Sequence, residues 1–301
     1  MKWLVITQST QTVDEISNLL QNLDKKNKCS ISSFESASIK KLKKNLKNFA
    51  SIIVFSETEE NISEKILPLF YALCGFASAE KIPLITNISK LSSLPLFTEE
   101  VTFVKNLDDF IKTFSVNYEK IANEAKKRLA KNKLLNRGIP FTSDCFGTYI
   151  AKNKLEIVEE FLEAGMSVNS RDDTGTPMLN IACRNDNFEF VEMILNLGAE
   201  LNAISEDRGY TAVMDAVWRG NEKITKFLIS KGAELNTINK EGQTNLILAV
   251  GANRENLVKI LAENGADPDV RDMMGMSAYS YASLFKKERL LEILKPYHKE
   301  S

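Results

Sequence analysis

The stretch AVWRGNEKITKFLISKGAELN, residues Ala216–Asn236, ends in a short phrase centred on a glycine, GAELN. The same phrase stands at Gly198–Asn202, and an altered copy, GADPD, stands at Gly265–Asp269. Glycine suits the left-handed position just past a helix end, where a side chain would clash, so the phrase predicts a helix stop followed by a turn. Its recurrence predicts that the whole helix–turn unit is repeated.

Glycines recur through the C-terminal half with a period of 33 or 34 residues. Those that close helices are Gly165, Gly198, Gly232 and Gly265. Those that mark turns before the next helix are Gly175, Gly209, Gly242 and Gly275. An alanine follows each turn glycine by seven residues, at Ala182, Ala216, Ala249 and Ala282. Self-similarity at this period predicts stacked helical repeats with a continuous core.

This pattern resembles the ankyrin repeat over about residues 141–296, half of the chain, in some five units. The family's T-P-L-H phrase is degenerate and lacks its histidine, reading PMLN at Pro177–Asn180, TAVM at Thr211–Met214, TNLI at Thr244–Ile247 and SAYS at Ser277–Ser280. The first unit is irregular, with Thr142 predicted at the turn-glycine position and Tyr149 at the alanine position. In the last unit, Leu284 and Phe285 are predicted to belong to the core of a terminal cap.

The resemblance implies that another protein binds a concave surface made by the turn tips and the exposed face of each unit's first helix. The candidate partner-binding residues on that surface are Arg184, Asn185, Arg208, Tyr210, Trp218, Arg219, Met274 and Met276. Trp, Tyr and Arg are enriched at binding hot spots, so we expect Trp218 and Arg219 to contribute most of the binding energy. Arg184 and Tyr210 are expected to support them from adjacent positions. Two interpretations of Trp218 stay open: an exposed anchor for a partner, or a ring packed on a neighbouring tip.

The N-terminal half alternates apolar runs with helical patterns. The runs that read as strands are Lys2–Thr7, Cys29–Phe34, Ser51–Phe55, Ile82–Thr86 and Val101–Val104. The helical patterns are Val13–Leu23, Ser38–Lys47, Ser63–Ala79 and Leu107–Lys133. This alternation predicts an α/β doubly wound parallel sheet of about five strands, flavodoxin-like or Rossmann-like, over residues 1–137. Gly138 and Pro140 predict a boundary, so that the repeat domain covers 138–301.

Ligands of such sheets bind beyond the carboxyl ends of the strands, where two families invite comparison. Thr86 and Lys105, after the last two predicted strands, resemble the corresponding residues of response-regulator receiver domains. Gln8–Ser9 and Ser56–Glu57 stand where that family has its metal-binding acids and its phospho-accepting aspartate. The resemblance therefore implies a receiver-like fold without phosphotransfer.

The second family is the nucleoside deoxyribosyltransferase and TIR-like group. The segment Gly75–Ile85 is similar to that group's helix-to-strand junction, and Leu73 stands where the group has its catalytic glutamate. This resemblance also implies a degenerate, structural version of the fold. It leaves open an enzyme that processes a nucleotide or NAD through an unrecognised site.

Composition and charge narrow the classes of function and cellular location that remain possible. The chain has 301 residues and a net charge of −1, with 21 basic and 15 acidic residues before Gly138 and 18 basic and 25 acidic residues from there on. Scattered cysteines and one histidine, His298 near a C-terminus expected to fray, predict no metal site and a reducing, cytoplasmic location. No apolar run is long enough to cross a membrane. The lysines of Lys40–Lys47 and the acidic run Glu57–Glu64 are predicted to be solvated helix faces, so nucleic acid is not the expected partner.

No nucleophile–base pair or paired-carboxylate motif can be assembled from the sequence, and no catalytic or cofactor-binding residue is predicted. We therefore expect a non-enzymatic adaptor that binds another protein through its repeats. The alternative is a nucleotide- or NAD-processing enzyme whose N-terminal domain acts while the repeats target it.

Overall fold

The computed structural model describes residues 1–7, 10–25, 27–32, 48–55, 77, 82, 84–88 and 101–299. The chain divides into two compact units, Met1–Asn136 and Arg137–Ser301. Elements are numbered in chain order over the described residues. Among these residues no helix is both long and apolar enough to cross a membrane.

The N-terminal unit contains a parallel sheet. Its strands are β1 (Lys2–Thr7), β2 (Lys28–Ser32), β3 (Ile52–Phe55), β4 (Leu84–Thr86) and β5 (Val101–Phe103), in the order β2-β1-β3-β4-β5. All four pairings are parallel, which confirms the predicted parallel sheet. At several ends the strand bounds differ from the predicted runs by one to two residues. The reason is that an apolar run does not show where the hydrogen bonds between neighbouring strands end.

Two helices, α1 (Thr10–Leu23) and α2 (Leu107–Asn136), pack on one face of this sheet. The Trp3 ring meets Phe114 edge-on, with ring centroids 5.4 Å apart, and lies 6.1 Å from Tyr118. Asn27 is buried in the same layer, where its Nδ2 donates to the Leu20 carbonyl at 2.8 Å and to the Tyr118 hydroxyl at 2.9 Å. The helices predicted at 38–47 and 63–79, the lysines of 40–47, the acids of 57–64 and Leu73 lie outside the described residues, apart from Ala77.

The C-terminal unit consists of five helix pairs, here called the first to fifth repeats. They are α3 (Ser143–Ala151) with α4 (Leu155–Glu163), α5 (Met178–Arg184) with α6 (Phe188–Asn196), α7 (Ala212–Arg219) with α8 (Glu222–Ser230), α9 (Asn245–Gly251) with α10 (Glu255–Glu263), and α11 (Ala278–Leu284) with α12 (Glu288–Leu294). The first helices of adjacent repeats contact each other along the stack. A threonine or serine side chain caps the N-terminus of α3, α7, α9 and α11, which fixes where each first helix begins.

The GAELN phrase links each repeat to the next. Its glycines have φ between 89° and 94°, as the helix-stop interpretation predicts: Gly165, Gly198, Gly232 and Gly265. The asparagine that ends the phrase, or stands in its place, accepts a hydrogen bond from a backbone N–H of the following phrase: Asn169 from Glu200 at 2.9 Å, Asn202 from Glu234 at 3.0 Å and Asn236 from Asp267 at 2.8 Å. The phrase recurs because glycine turns the chain and asparagine joins successive turns.

The register predicted for the first repeat is wrong by two residues. Thr142 caps α3, its side chain accepting from the Cys145 N–H, and is therefore not at the turn-glycine position. Counting from this cap places Gly147, not Tyr149, where the other repeats carry alanine. A Cβ on Gly147 would lie 2.8 Å from Cδ1 of Ile181 in the next repeat, so the position that holds a fully buried alanine in the other four repeats also requires a small residue in the first.

The C-terminal segment is ordered through Lys299 rather than frayed. His298 Nδ1 lies 2.6 Å from Asp269 Oδ1, and the His298 ring stacks on Tyr279 with centroids 3.8 Å apart. The Lys299 N–H donates to Asp269 Oδ2 at 2.8 Å, as the next GAELN phrase does in the other repeats. These two bonds lower the pKa of Asp269 below its ordinary value, against the opposing effect of its partial burial.

Candidate partner-binding surface

The first helices end in a row of side chains, one from each repeat. Each member of the row lies seven residues after the N-cap, the residue just before its helix. Because the first helices pack on one another, these equivalent positions lie side by side. This helix-end row consists of Tyr149, Arg184, Trp218, Gly251 and Leu284.

The third repeat contributes Trp218 to this row, and Arg219 follows it as the last residue of α7. Trp218 is 52% exposed, and Arg219 is also exposed. Over the described part of the chain, no carboxylate forms an ion pair with Arg219. Trp218 therefore stands about half exposed next to a guanidinium without an ion-pair partner among the described residues, and its role as an anchor stays a prediction.

Arg184, by contrast, is held by two carboxylates of the next repeat. Its Nε lies 2.8 Å from Asp215 Oδ1, and its Nη1 lies 2.9 Å from Asp207 Oδ2. Asp207 belongs to the turn tip of the third repeat, which is one residue longer than its neighbours, as the 34-residue spacing from Gly175 to Gly209 indicates. The pKa of Asp207 is lowered well below its usual range because the Arg184 hydrogen bonds outweigh partial burial.

Asp215 is a fully buried carboxyl in α7, at a helix position between apolar neighbours. Burial raises its pKa, while Arg184 and an Asn180 hydrogen bond act in the opposite direction. Asn180 stands where the ankyrin phrase has histidine, and its Nδ2 donates to Asp215 Oδ2 and to the Tyr210 carbonyl, both at 2.9 Å. An inter-repeat bond is therefore made in the second repeat although the family's histidine is absent.

The structure differs from the expectation for Tyr210, whose side chain is buried rather than presented at the tip. The guanidinium carbon of Arg208 lies 4.8 Å from the centre of the Tyr210 ring, so an exposed cation covers the aromatic face. Arg208 Nε also lies 3.7 Å from Asp207 Oδ2, and Arg208 Nη2 lies 3.8 Å from Asp215 Oδ1. Arg184 and Tyr210 thus belong to a polar layer that joins the second and third repeats, and Arg208 is the exposed part of that layer.

The tip of the fifth repeat presents methionines. Met274 is 81% exposed and Met273 is 76% exposed, while Met276 is half-buried. The Asp272 carboxylate holds this tip, accepting from the N–H groups of Met274 and Met276 and from the Tyr281 hydroxyl. These bonds lower the pKa of Asp272 despite some desolvation.

The prediction that Leu284 and Phe285 form the core of a terminal cap is wrong. Leu284 is 62% exposed and Phe285 is 55% exposed. The core of the fifth repeat uses other apolar residues, such as Ala282 and Leu290, which are buried. Two apolar residues at the end of a helix suggest a core position in the sequence, but here both residues are exposed to solvent. Asn185, at the end of α5, is exposed as expected.

Comparison with known proteins finds ankyrin repeats in this unit. The family model described as "Ankyrin repeats (3 copies)" matches residues 148–239, and the model described as "Ankyrin repeat" matches 241–273. An ankyrin repeat-containing protein of Treponema pallidum (strain Nichols) is 32% identical over 229 residues, covering 75% of this chain and 76% of its own. That length exceeds Arg137–Ser301, so the similarity extends into the N-terminal unit.

Two further relatives match over about half of the chain. An ankyrin repeat protein of Borreliella burgdorferi is 28% identical over 155 residues, covering 52% of this chain and 64% of its own. The ankyrin repeat protein nuc-2 of Neurospora crassa is 31% identical over 152 residues, covering 50% of this chain but only 14% of its own. The similarity to the fungal protein therefore concerns a small part of that protein and not the whole molecule.

Proposed function

The chain belongs to the ankyrin-repeat family, whose repeats generally mediate protein–protein interaction, and we propose that it is a non-enzymatic adaptor that binds a partner through the helix-end row and the adjacent tips. The observation that carries this proposal is the half-exposed ring of Trp218 beside the unpaired Arg219. An exposed tryptophan contributes little to folding and much to binding when a partner covers it.

The surroundings of Trp218 support its role as an anchor. The neighbouring Arg184–Asp215 pair and the buried Tyr210 connect the second and third repeats, so the surface that carries Trp218 is held in place before a partner arrives. Such preorganisation lowers the entropy lost on binding. We propose Asn185, Arg208, Met274 and Met276 as peripheral contacts, and we assign Arg184 and Tyr210 to the supporting layer.

The test is capture of partner proteins by the full chain, quantified for a double variant, Trp218→Ala with Arg219→Ala. Truncation of anchors of this type costs about 2 kcal/mol or more, roughly thirtyfold in affinity. The matched control is Leu197→Ala with Lys226→Ala, which removes a 53% exposed apolar side chain just after α6 and an exposed cation on α8. Capture that survives the first change, or is lost equally in both variants, contradicts the proposal.

We further propose that residues 1–137 and 138–301 fold as separate domains in the cytoplasm and that the first is a doubly wound, receiver-like domain without an active site. Its strand order is that of flavodoxin-like sheets, and both faces of its central strands are buried. The buried hydroxyl of Thr86 is engaged locally, accepting from the Ile88 N–H at 3.1 Å. A clear thermal stabilisation of the chain by nucleotides or NAD would instead favour the enzyme alternative.

A further inference from the structure

The helix-end row has a gap at the fourth repeat. Gly251 ends α9 between Trp218 of the third repeat and Leu284 of the fifth, and α9 packs against the first helices of both. A Cβ on Gly251 would meet no atom within 4 Å, so the space above it is open. The large side chains of Trp218 and Leu284 therefore flank a notch, the Gly251 notch, whose floor is bare helix backbone.

Cations border this notch. Lys287 Nζ donates to the Val250 carbonyl at 3.1 Å, which places an ammonium group one residue from Gly251. Arg219 and Lys286 are exposed, and neither is in an ion pair with any carboxylate of the described residues. The apolar positions thus lie among three cations.

The carboxylates at the same end of the repeats are mostly engaged. Glu222 accepts from Asn256 Nδ2 at 2.9 Å, and Glu255 lies 3.4 Å from Arg289 Nη1, so both are bound sideways along the second helices. Glu288 is exposed at the start of α12. Residues 138–301 carry 25 acidic against 18 basic side chains, so a cationic border here runs against the charge of the rest of the unit.

We propose that the third to fifth repeats bind an extended acidic peptide segment of the partner protein, with one bulky apolar side chain in the Gly251 notch. Carboxylates on either side of that side chain would meet Arg219 on one side and Lys286 and Lys287 on the other. Complementary charge at the rim speeds association and selects the partner, while the buried apolar anchor supplies most of the affinity. This inference rests on the proposed function and adds the chemistry of the partner.

The probe is a display library of short random peptides selected on the immobilised full chain. Selected sequences should carry Asp or Glu on both sides of an aromatic or large aliphatic residue. Gly251→Leu should weaken their binding by about tenfold or more, because the new side chain fills the notch. The same change should not lower the melting temperature, since the added Cβ meets no neighbour and leucine favours a helix more than glycine does.

Charge reversal tests the acidic component. Arg219→Glu with Lys286→Glu should weaken the selected peptides by about tenfold at low salt, with a smaller effect at high salt. Lys226→Glu with Lys259→Glu makes the same change in net charge on the second helices and should have little effect. A library without acidic enrichment, or peptides indifferent to Gly251→Leu, overturns the inference; if such peptides still require Trp218, the proposed function stands. Peptides indifferent to every change in the helix-end row would contradict both.

Discussion

Two turn glycines with nearly the same backbone conformation should differ in what a methyl group costs. Gly242 has φ +77° and Gly275 has φ +75°, so an alanine at either position must adopt a left-handed conformation. A Cβ on Gly242 would lie 2.7 Å from the backbone N of Met273 and 3.2 Å from the backbone C of Asp272, both in the tip of the next repeat. A Cβ on Gly275, in the last tip, would meet nothing within 4 Å.

The two substitutions therefore separate conformational strain from close packing of the tips. The left-handed conformation costs about 1–2 kcal/mol for a residue with a Cβ, and this cost is common to both variants. The contact with the Met273 backbone should add about 1–3 kcal/mol at Gly242, because a backbone cannot move aside as the end of a side chain can. The gain from restricting the unfolded chain is the same in each variant and cancels in the comparison.

We expect urea denaturation of the full chain, followed by helical circular dichroism, to show a larger loss of unfolding free energy for Gly242→Ala than for Gly275→Ala. The difference should be at least about 1 kcal/mol. Gly209→Ala supplies a second case, since its Cβ would lie 2.8 Å from the backbone N of Lys240. Equal losses in all three variants would refute the argument that neighbouring tips are packed too closely for a side chain.

Three other results are expected. Asp269→Ala should release the C-terminal segment, so that trypsin cleaves near Lys299 faster than in the parent chain while the melting temperature changes little. Gly147→Val should destabilise by about 1–3 kcal/mol, because Cδ1 of Ile181 must move away, and a variant as stable as the parent would return the first repeat to the register predicted from sequence. The pKa values of Asp207 and Asp269 are lowered on folding, so the unfolded chain binds protons first as the pH falls. The stability that these carboxylates contribute is full above about pH 5 and is lost progressively as the pH falls below the ordinary carboxyl pKa of about 3.9. In the Asp207→Asn variant, the denaturation midpoint should therefore fall less between about pH 6 and pH 3 than it does in the parent chain.

The sequence predicted the repeats well because their signals are local. A left-handed helix end strongly favours glycine, and the interval between such glycines is set by the length of one repeat, so period and stop positions could be read directly. The first repeat misled this counting because Gly147 serves in place of alanine and its turn lacks a glycine. The N-cap at Thr142 was the signal that could have corrected it.

The surface was harder to predict because exposure depends on neighbouring repeats. Trp218 and Leu284 occupy equivalent positions, and nothing in their own segments shows that this position is exposed in the third and fifth repeats. Asp207 enters through a one-residue insertion, and its ion pair with Arg184 of the preceding repeat has no local sequence signal. The sequence predicts Tyr210 to be an exposed tip residue, but in the structure Arg208 covers its ring.

Quenching of tryptophan fluorescence by iodide tests the central claim, because the chain has two tryptophans in opposite environments. Trp3 is fully buried in the N-terminal unit, whereas Trp218 is 52% exposed, so iodide should quench Trp218 alone in the free chain. Addition of a captured partner protein to the full chain, at saturation, should abolish this quenchable fraction and shift its emission to the blue as the ring leaves water. A partner-bound chain in which Trp218 remains as accessible to iodide as before would contradict the assignment of the helix-end row as the binding surface.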